Sequence, residues 1–153
     1  VVTKCPESMK AIDKRVVANN LKLSAFQSLY FSHIRYAPMD IPAKPLVLTG
    51  IAHADYMFDY IHEQAPQAEL MAFPDHHNYT KKNLDQIASR AAHFDAVITT
   101  EKDYSRLMRL DLPEPLRQKL AALPIEPDFR EDKADFEAKI GAFVAEQIRK
   151  AAL

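Results

Sequence analysis

Leu70-Met71-Ala72-Phe73-Pro74-Asp75-His76-His77-Asn78-Tyr79-Thr80-Lys81-Lys82-Asn83-Leu84 runs from apolar, through a proline and three groups of catalytic type, into a helix start. Pro74 has no N–H to give a ladder, so the strand predicted over Glu69–Phe73 ends there. Thr80 reads as the N-cap of a helix over Thr80–Phe94, with Leu84, Ile87, Ala88 and Ala91 inward. One carboxylate and two imidazoles therefore sit on a strand-to-helix loop, where working groups are commonly displayed.

The same unit recurs on either side. Upstream, Pro45-Leu46-Val47-Leu48-Thr49-Gly50-Ile51-Ala52 is a short apolar run of the kind buried on both faces of a sheet. Asp55–Gln64 follows with Tyr56, Met57, Tyr60 and Ile61 at helical spacing, and Pro66 closes it. Downstream, Asp95-Ala96-Val97-Ile98-Thr99-Thr100 predicts another buried strand, and Lys102–Leu110 another helix. Pro113-Glu114-Pro115 interrupts the chain before a helical Leu116–Leu120. The stretch from Leu123 to Phe129, limited by Pro124 and Pro127, reads as a weak edge strand. Nearer the start, Met9, Ile12, Val16 and Val17 predict a helix over Glu7–Leu23, and Leu29–Tyr36 reads as a strand. In the final helix, Lys133–Lys150, Phe136, Ile140, Phe143, Val144 and Ile148 form one stripe. Strands alternating with helices predict an α/β fold: a mostly parallel open sheet of about four or five strands with helices on both faces. Strand ends of one polarity then share an edge. Ligands in such sheets bind at the carboxyl edge. Thr49–His53, Asp75–His77 and Thr99–Asp103 all fall there.

With 153 residues and 48% hydrophobic side chains, the chain can build a proper core. Twenty basic and 21 acidic residues leave a formal net charge of −1, which gives no support to a nucleic-acid partner. No apolar stretch is long enough to span a bilayer as a helix. A lone cysteine, Cys5, makes no internal disulfide, and a reducing cytoplasmic setting is its plain reading. Only Gly50 and Gly141 are glycine, so no glycine-rich phosphate loop is encoded in these residues. Val1-Val2-Thr3-Lys4 reads as the tail of a strand that begins upstream, which suggests a fragment.

Each edge segment has a functional and a bland reading. Asp75-His76-His77 could hold a metal or supply a proton acceptor oriented by a carboxylate, since imidazole exchanges protons near neutral pH. A polar loop with one histidine capping the next helix accounts for the spacing equally well. Glu101-Lys102-Asp103 could steer a phosphate or fix a loop. Equally, Thr100 caps a helix whose positive end favours both carboxylates. Gly50 allows a close backbone approach, or is simply a turn.

Taken together and in order, Val1-Val2-Thr3-Lys4-Cys5-Pro6, Leu48-Thr49-Gly50-Ile51-Ala52, Phe73-Pro74-Asp75-His76-His77 and Thr99-Thr100-Glu101-Lys102-Asp103 with Arg106-Leu107 resemble the C-terminal half of the tetraacyldisaccharide 4′-kinases, the lipid A kinases of Gram-negative bacteria. The resemblance implies transfer of the γ-phosphate of ATP, with Mg²⁺, to the 4′-hydroxyl of a tetraacylated disaccharide 1-phosphate, the lipid A disaccharide precursor. The setting it implies is the cytoplasmic face of the inner membrane, with membrane contact through the N-terminal part. It implies that residues 1–24 end a strand of a nucleotide-binding domain and lead away by a helix, with Thr3 and Lys4 near the nucleotide. Residues 25–153 would then form the C-terminal α/β domain. His76 would orient or deprotonate the sugar hydroxyl, paired with an aspartate of the N-terminal half. Asp75, Gly50, Glu101, Lys102 and Asp103 would line or support the cleft, and His77 is a secondary catalytic candidate. The P-loop and the Mg²⁺ carboxylates belong to the other half, so no metal site, tightly bound ATP or independent kinase activity is expected of this chain. Two departures stand out: His53-Ala54 replaces the usual Asn-Pro, and Tyr104 the usual Ala.

Two other classes compete. A metal-dependent Asp-His-His phosphoesterase needs further aspartates on neighbouring loops, and Asp40, Asp55 and Asp103 do not fall in that pattern. A non-catalytic interaction domain would display an exposed apolar face.

Overall fold

In the computed structural model, which describes residues 1–6 and 8–151, the apolar run at 45–49 is the centre of a four-stranded parallel sheet. In chain order the elements are α1 (Ala11–Leu21), β1 (His33–Tyr36), β2 (Pro45–Thr49), α2 (Asp55–Gln64), β3 (Glu69–Ala72), α3 (Lys81–Ala91), β4 (Ala96–Thr100), α4 (Glu101–Leu107), α5 (Glu114–Lys119), β5 (Leu120–Leu123), β6 (Ile125–Asp128) and α6 (Lys133–Ala151), with a 3-10 turn at Arg130–Asp132. They form two compact units, Tyr36–Pro124 and Val1–Arg35 with Ile125–Leu153.

The first of these units is built on the sheet order β3-β2-β4-β5. Leu46 pairs with Glu69 on one side and Val97 on the other, and Val97 in turn with Leu120. Every residue of β2 is buried, as expected of a central strand covered on both faces. The order reverses direction after β3, and a fixed crossover hand then sends α2 to one face and α3, α4 and α5 to the other. Leu46, Leu48 and Val97 meet Leu84, Ile87 and Ala91 of α3, Leu107 of α4 and Leu116 of α5. On the other face, Val47 and Ile98 meet Met57 and Ile61 of α2 together with Leu123. Burying each such side chain fully contributes about 1.5–3 kcal/mol. The predicted α/β fold, with helices on both faces, is what forms.

Several boundaries differ from the sequence reading. Leu120 ends a predicted helix but here begins β5. Its backbone is extended, at φ −80° and ψ 125°, and Leu120 and Leu123 are buried. Leu-Ala-Ala-Leu has no β-branched residue, so the strand is imposed by pairing with β4 rather than by propensity. The predicted edge strand at 123–129 shortens to β6 and pairs with β1, outside the parallel sheet. Of the strand predicted over Leu29–Tyr36, only His33–Tyr36 is regular, and Phe31 makes an isolated parallel bridge to Val2. The first helix begins at Ala11, whereas its predicted start, Glu7, lies outside the described residues.

In the second unit, Val2 N–H donates to Tyr30 O (2.8 Å) and Cys5 N–H to Ser32 O (2.9 Å), so the first residues run alongside Tyr30–Ser32 as a short strand tail. The stripe of α6 is present, but no residue of that helix is buried.

Packing depth therefore predicts opposite outcomes for two apolar truncations. Leu48→Ala, in the central strand, is expected to cost about 2–5 kcal/mol. Ile148→Ala, on an open helix face, should stay within about 0.5 kcal/mol. Chemical unfolding of both variants measures the contrast, and similar losses would contradict this core assignment.

Candidate functional site

The carboxyl ends of β2, β3 and β4 share one edge, and three loops rise from it. Phe73 N–H donates to Thr49 O (2.7 Å), holding the β3 loop beside the end of β2. Pro74 then turns the chain, its carbonyl accepting from His77 N–H (3.2 Å). His76 at the tip has φ 58°, in the left-handed region, which non-glycine residues enter rarely although His, Asn and Asp do so more than others. The loop closes on Thr80, the N-cap of α3. Thr80 Oγ1 accepts from Asn83 N–H (3.3 Å), and Asn83 Oδ1 accepts from Thr80 N–H (2.9 Å).

Within this loop the two histidines have different surroundings. His76 is 72% exposed along its side chain, with Nε2 3.5 Å from Asp75 Oδ2. Asp75 Oδ1 accepts from His76 N–H (2.9 Å) and lies 3.5 Å from Lys102 Nζ. Burial alone would push the Asp75 carboxyl up. The His76 amide, the charge of a protonated His76 ring and the Lys102 ammonium outweigh it and hold the carboxyl below its usual range. His77 is half-buried, stacked on Phe73 (4.7 Å between centroids), edge-on to Tyr79 (5.2 Å), with Nε2 3.1 Å from Asn83 Oδ1. His77 is therefore engaged in the loop's own packing, whereas His76 is presented outward.

Asp103 is fully buried. Its Oδ2 accepts from Gly50 N–H (2.8 Å) and Thr100 Oγ1 (3.0 Å), while its own N–H donates to Thr100 Oγ1 (3.0 Å). One carboxylate thus joins the end of β2 to the first turn of α4. Its other oxygen lies 3.7 Å from Arg106 Nη1. Asp103 Oδ1, Arg106 Nη1 and Tyr79 Oη are buried without a hydrogen-bond partner among the described residues. Burial and then the Asp103 charge push the Tyr79 phenol far above its ordinary range, so it stays protonated. Gly50 is the other side of this crowding. A Cβ there would stand 2.9 Å from Tyr79 Oη and 3.1 Å from Asp103 Oδ1. His77, Asn78, Tyr79, Arg106 and Leu110 line a small cavity of ≈ 160 Å³ at the same place.

The structure brings Asp75, His76 and Lys102 together at the surface, and Gly50 and Asp103 together beneath it. Glu101 is exposed at the start of α4. Thr3 and Lys4 are exposed in the other unit, Lys4 with φ 56°. Sequence reasoning missed Tyr79 as a contributor, although an aromatic beside two histidines was a visible signal. Arg106 was visible as the i+3 partner of Asp103. No group of three His, Cys, Asp or Glu side chains placed to hold a metal occurs among the described residues. No described helix is long and apolar enough to cross a membrane.

Sheet order, edge loops and an outward histidine beside a carboxylate define an open α/β domain with a polar cluster at its carboxyl edge. The chain belongs to the tetraacyldisaccharide-1-P 4′-kinase family, LpxK, whose family model matches residues 4–145. It is similar to the tetraacyldisaccharide 4′-kinase of Bacteroides fragilis, at 32% identity over 100% of this chain and 47% of the relative. With that of Flavobacterium johnsoniae it shares 31% identity over 97% of this chain and 45% of the relative. With that of Bacteroides thetaiotaomicron the figures are 29%, 97% and 47%. The chain spans about half the length of these curated relatives and corresponds to their C-terminal part. No solved structure matches it.

Two measurements probe the site. Gly50→Ala is expected to destabilise by about 1–3 kcal/mol through overpacking. Tyr79→Phe should recover part of that loss in the double variant, because the hydroxyl is the nearest obstacle; purely additive losses would disprove the contact. In an NMR titration, the Asp75 carboxyl should titrate below the ordinary ~3.9, and Lys102→Ala should move it upward. Because the folded value is depressed, any stability it confers is present above the unfolded value and lost as pH falls through the folded one. An unmoved midpoint would separate Lys102 from this site.

Proposed function

We propose that the chain is the substrate-facing part of an ATP-dependent kinase that phosphorylates the 4′-hydroxyl of tetraacyldisaccharide 1-phosphate, the lipid A disaccharide precursor. The observation that carries the reading is His76: an exposed imidazole held outward at the carboxyl edge by a left-handed backbone and an ionised neighbour, in a chain matched by the family model over residues 4–145. In this reading His76, paired with an aspartate of the preceding half, orients or deprotonates the attacking hydroxyl, a role open to an imidazole placed at hydrogen-bond distance from it. Asp75 faces Nε2, so Nδ1 is the ring nitrogen remote from the carboxylate and free to meet substrate. The His76 amide, the His76 ring and Lys102 together hold the Asp75 carboxyl below its usual range. Asp103 fixes the loops beneath, and Glu101 stands at the same edge.

ATP and Mg²⁺ would supply the transferred phosphoryl group and the neutralisation of its charge. The residues of this chain do not fit them. The chain's two glycines are far apart in sequence, and the described residues offer no convergent metal-ligand set. Those groups are assigned to the half of the family polypeptide that precedes this region, including its P-loop domain and membrane contact. Thr3 and Lys4, on the strand tail beside Tyr30–Ser32, would stand close to the nucleotide. The enzyme would work at the cytoplasmic face of the inner membrane.

The test is steady-state kinetics of the enzyme containing both halves. His76→Ala should lower kcat by about 10²–10⁴-fold, with the KM for ATP nearly unchanged, and the 153-residue chain alone should transfer no phosphate. Unchanged turnover would remove His76 from the chemistry, and phosphorylation by the chain alone would overturn the assignment of ATP to the other half.

A further inference from the structure

Among the described residues, the stripe on α6 begins against aromatic neighbours and continues into solvent. Phe136, Ile140, Phe143, Val144 and Ile148 are spaced to fall on one side of the helix. The ring of Phe136 stacks on Phe129 (4.2 Å between centroids) and meets Tyr30 edge-on (5.2 Å). The same turn is pinned by Tyr30 Oη donating to Asp135 (2.5 Å) and by Lys139 Nζ donating to Ser28 Oγ (2.7 Å). Beyond it, Ile140, Phe143, Val144 and Ile148 are 48%, 60%, 47% and 66% exposed. That is roughly 12 Å of helix, at 1.5 Å per residue, with its apolar face in water. In the same unit, α1 leaves Ile12 and Val16, one turn apart, exposed as well. Single exposed apolar residues are ordinary, whereas an aligned run of them marks an interaction surface.

Charge narrows the occupant. The other sides of α6 carry Lys133, Lys139, Arg149 and Lys150 against Asp135, Glu137 and Glu146. Three ion pairs one turn apart, Lys133–Glu137 (3.9 Å), Lys139–Asp135 (3.4 Å) and Lys150–Glu146 (2.6 Å), leave the helix close to neutral. A helix that lies on anionic lipid presents a polar face rich in Lys and Arg, and this one does not. The relatives supply a protein occupant. This chain covers 45–47% of their length as their C-terminal part, so about as much polypeptide again precedes the matched region in them.

We infer that the Ile140–Ile148 face of α6 is the docking surface for that preceding half of the family polypeptide. The apolar stripe enters a groove on it and extends the cluster already seeded by Phe136, Phe129 and Tyr30. The inference rests on the two-half kinase reading only in taking both halves to work as one unit.

The experiment mixes the 153-residue chain with the separately produced preceding half of the Bacteroides fragilis relative. Association is followed by sedimentation velocity, and protection by hydrogen exchange. A one-to-one complex that protects α6 amides over 140–148 is expected. Phe143→Glu with Ile148→Glu should weaken it tenfold or more while leaving the circular dichroism of the free chain unchanged, because both side chains are exposed in it. No complex, or one indifferent to the double variant, would overturn the inference. So would self-association of this chain through the same two residues, or their binding to phosphatidylglycerol vesicles instead. Phosphate transfer in the mixture is scored separately. A complex that forms without transfer counts against the kinase reading alone, and transfer that ignores positions 143 and 148 counts against the docking face alone.

Discussion

Three loops from three parallel strands have no intrinsic reason to hold one arrangement, and the buried carboxylate of Asp103 gives them one. A carboxylate removed from water is costly unless its lone pairs are occupied. Here Gly50 N–H and Thr100 Oγ1 occupy one oxygen, and Arg106 stands beside the other. The bonds to Oδ2 hold the end of β2 against the start of α4, and Gly50 must lack a side chain for Tyr79 to close over the junction. Tyr79 in turn anchors the ring stack of Phe73 and His77, from which the tip carrying Asp75 and His76 projects. The surface site is thus the visible end of a chain of contacts whose other end is inaccessible to solvent. The sheet order contributes the setting. Direction reverses between β2 and β4, which opens the crevice where such folds place their ligands, and Asp103 braces that crevice from within.

Much of this architecture was legible in the residues. Continuous apolar runs announced β2 and β4, helical spacing announced α2 and α3, and Pro74 and Thr80 bracketed the working loop. What escaped did so for physical reasons. The Leu120–Leu123 strand carries helix-compatible residues and is extended only because β4 offers it a ladder. The α6 stripe was read correctly as a stripe, but periodicity records that a face is apolar and not whether this chain covers it. At the site, Asp103 read as a cleft-side charge or a helix-end residue. Its bond to Gly50 spans 53 positions of sequence and left no local signal. Which of the two histidines points outward is decided by ring stacking and by a backbone angle, neither of which a dipeptide encodes.

The two units also differ in how self-sufficient they are. Tyr36–Pro124 has helices packed on both faces of its sheet and contains the whole edge site. Val1–Arg35 with Ile125–Leu153 packs around small aromatic contacts and leaves α1 and α6 with apolar side chains toward solvent. Family membership gives that contrast a rationale, since the relatives carry roughly twice the chain. One unit carries its edge loops on a covered sheet, and the other leaves apolar helix faces exposed.

The left-handed backbone at His76 has a consequence for how this site can change over time. Glycine would occupy that conformation without steric penalty and asparagine with little, so the position is one where drift toward a sturdier loop is easy. Either replacement would remove the imidazole. Under the catalytic role proposed for His76, conformational ease and chemical usefulness pull position 76 toward different amino acids, and a histidine there trades local stability for function. Stabilised forms of this loop that arise without selection for catalysis would be expected to lose the side chain first and keep the fold.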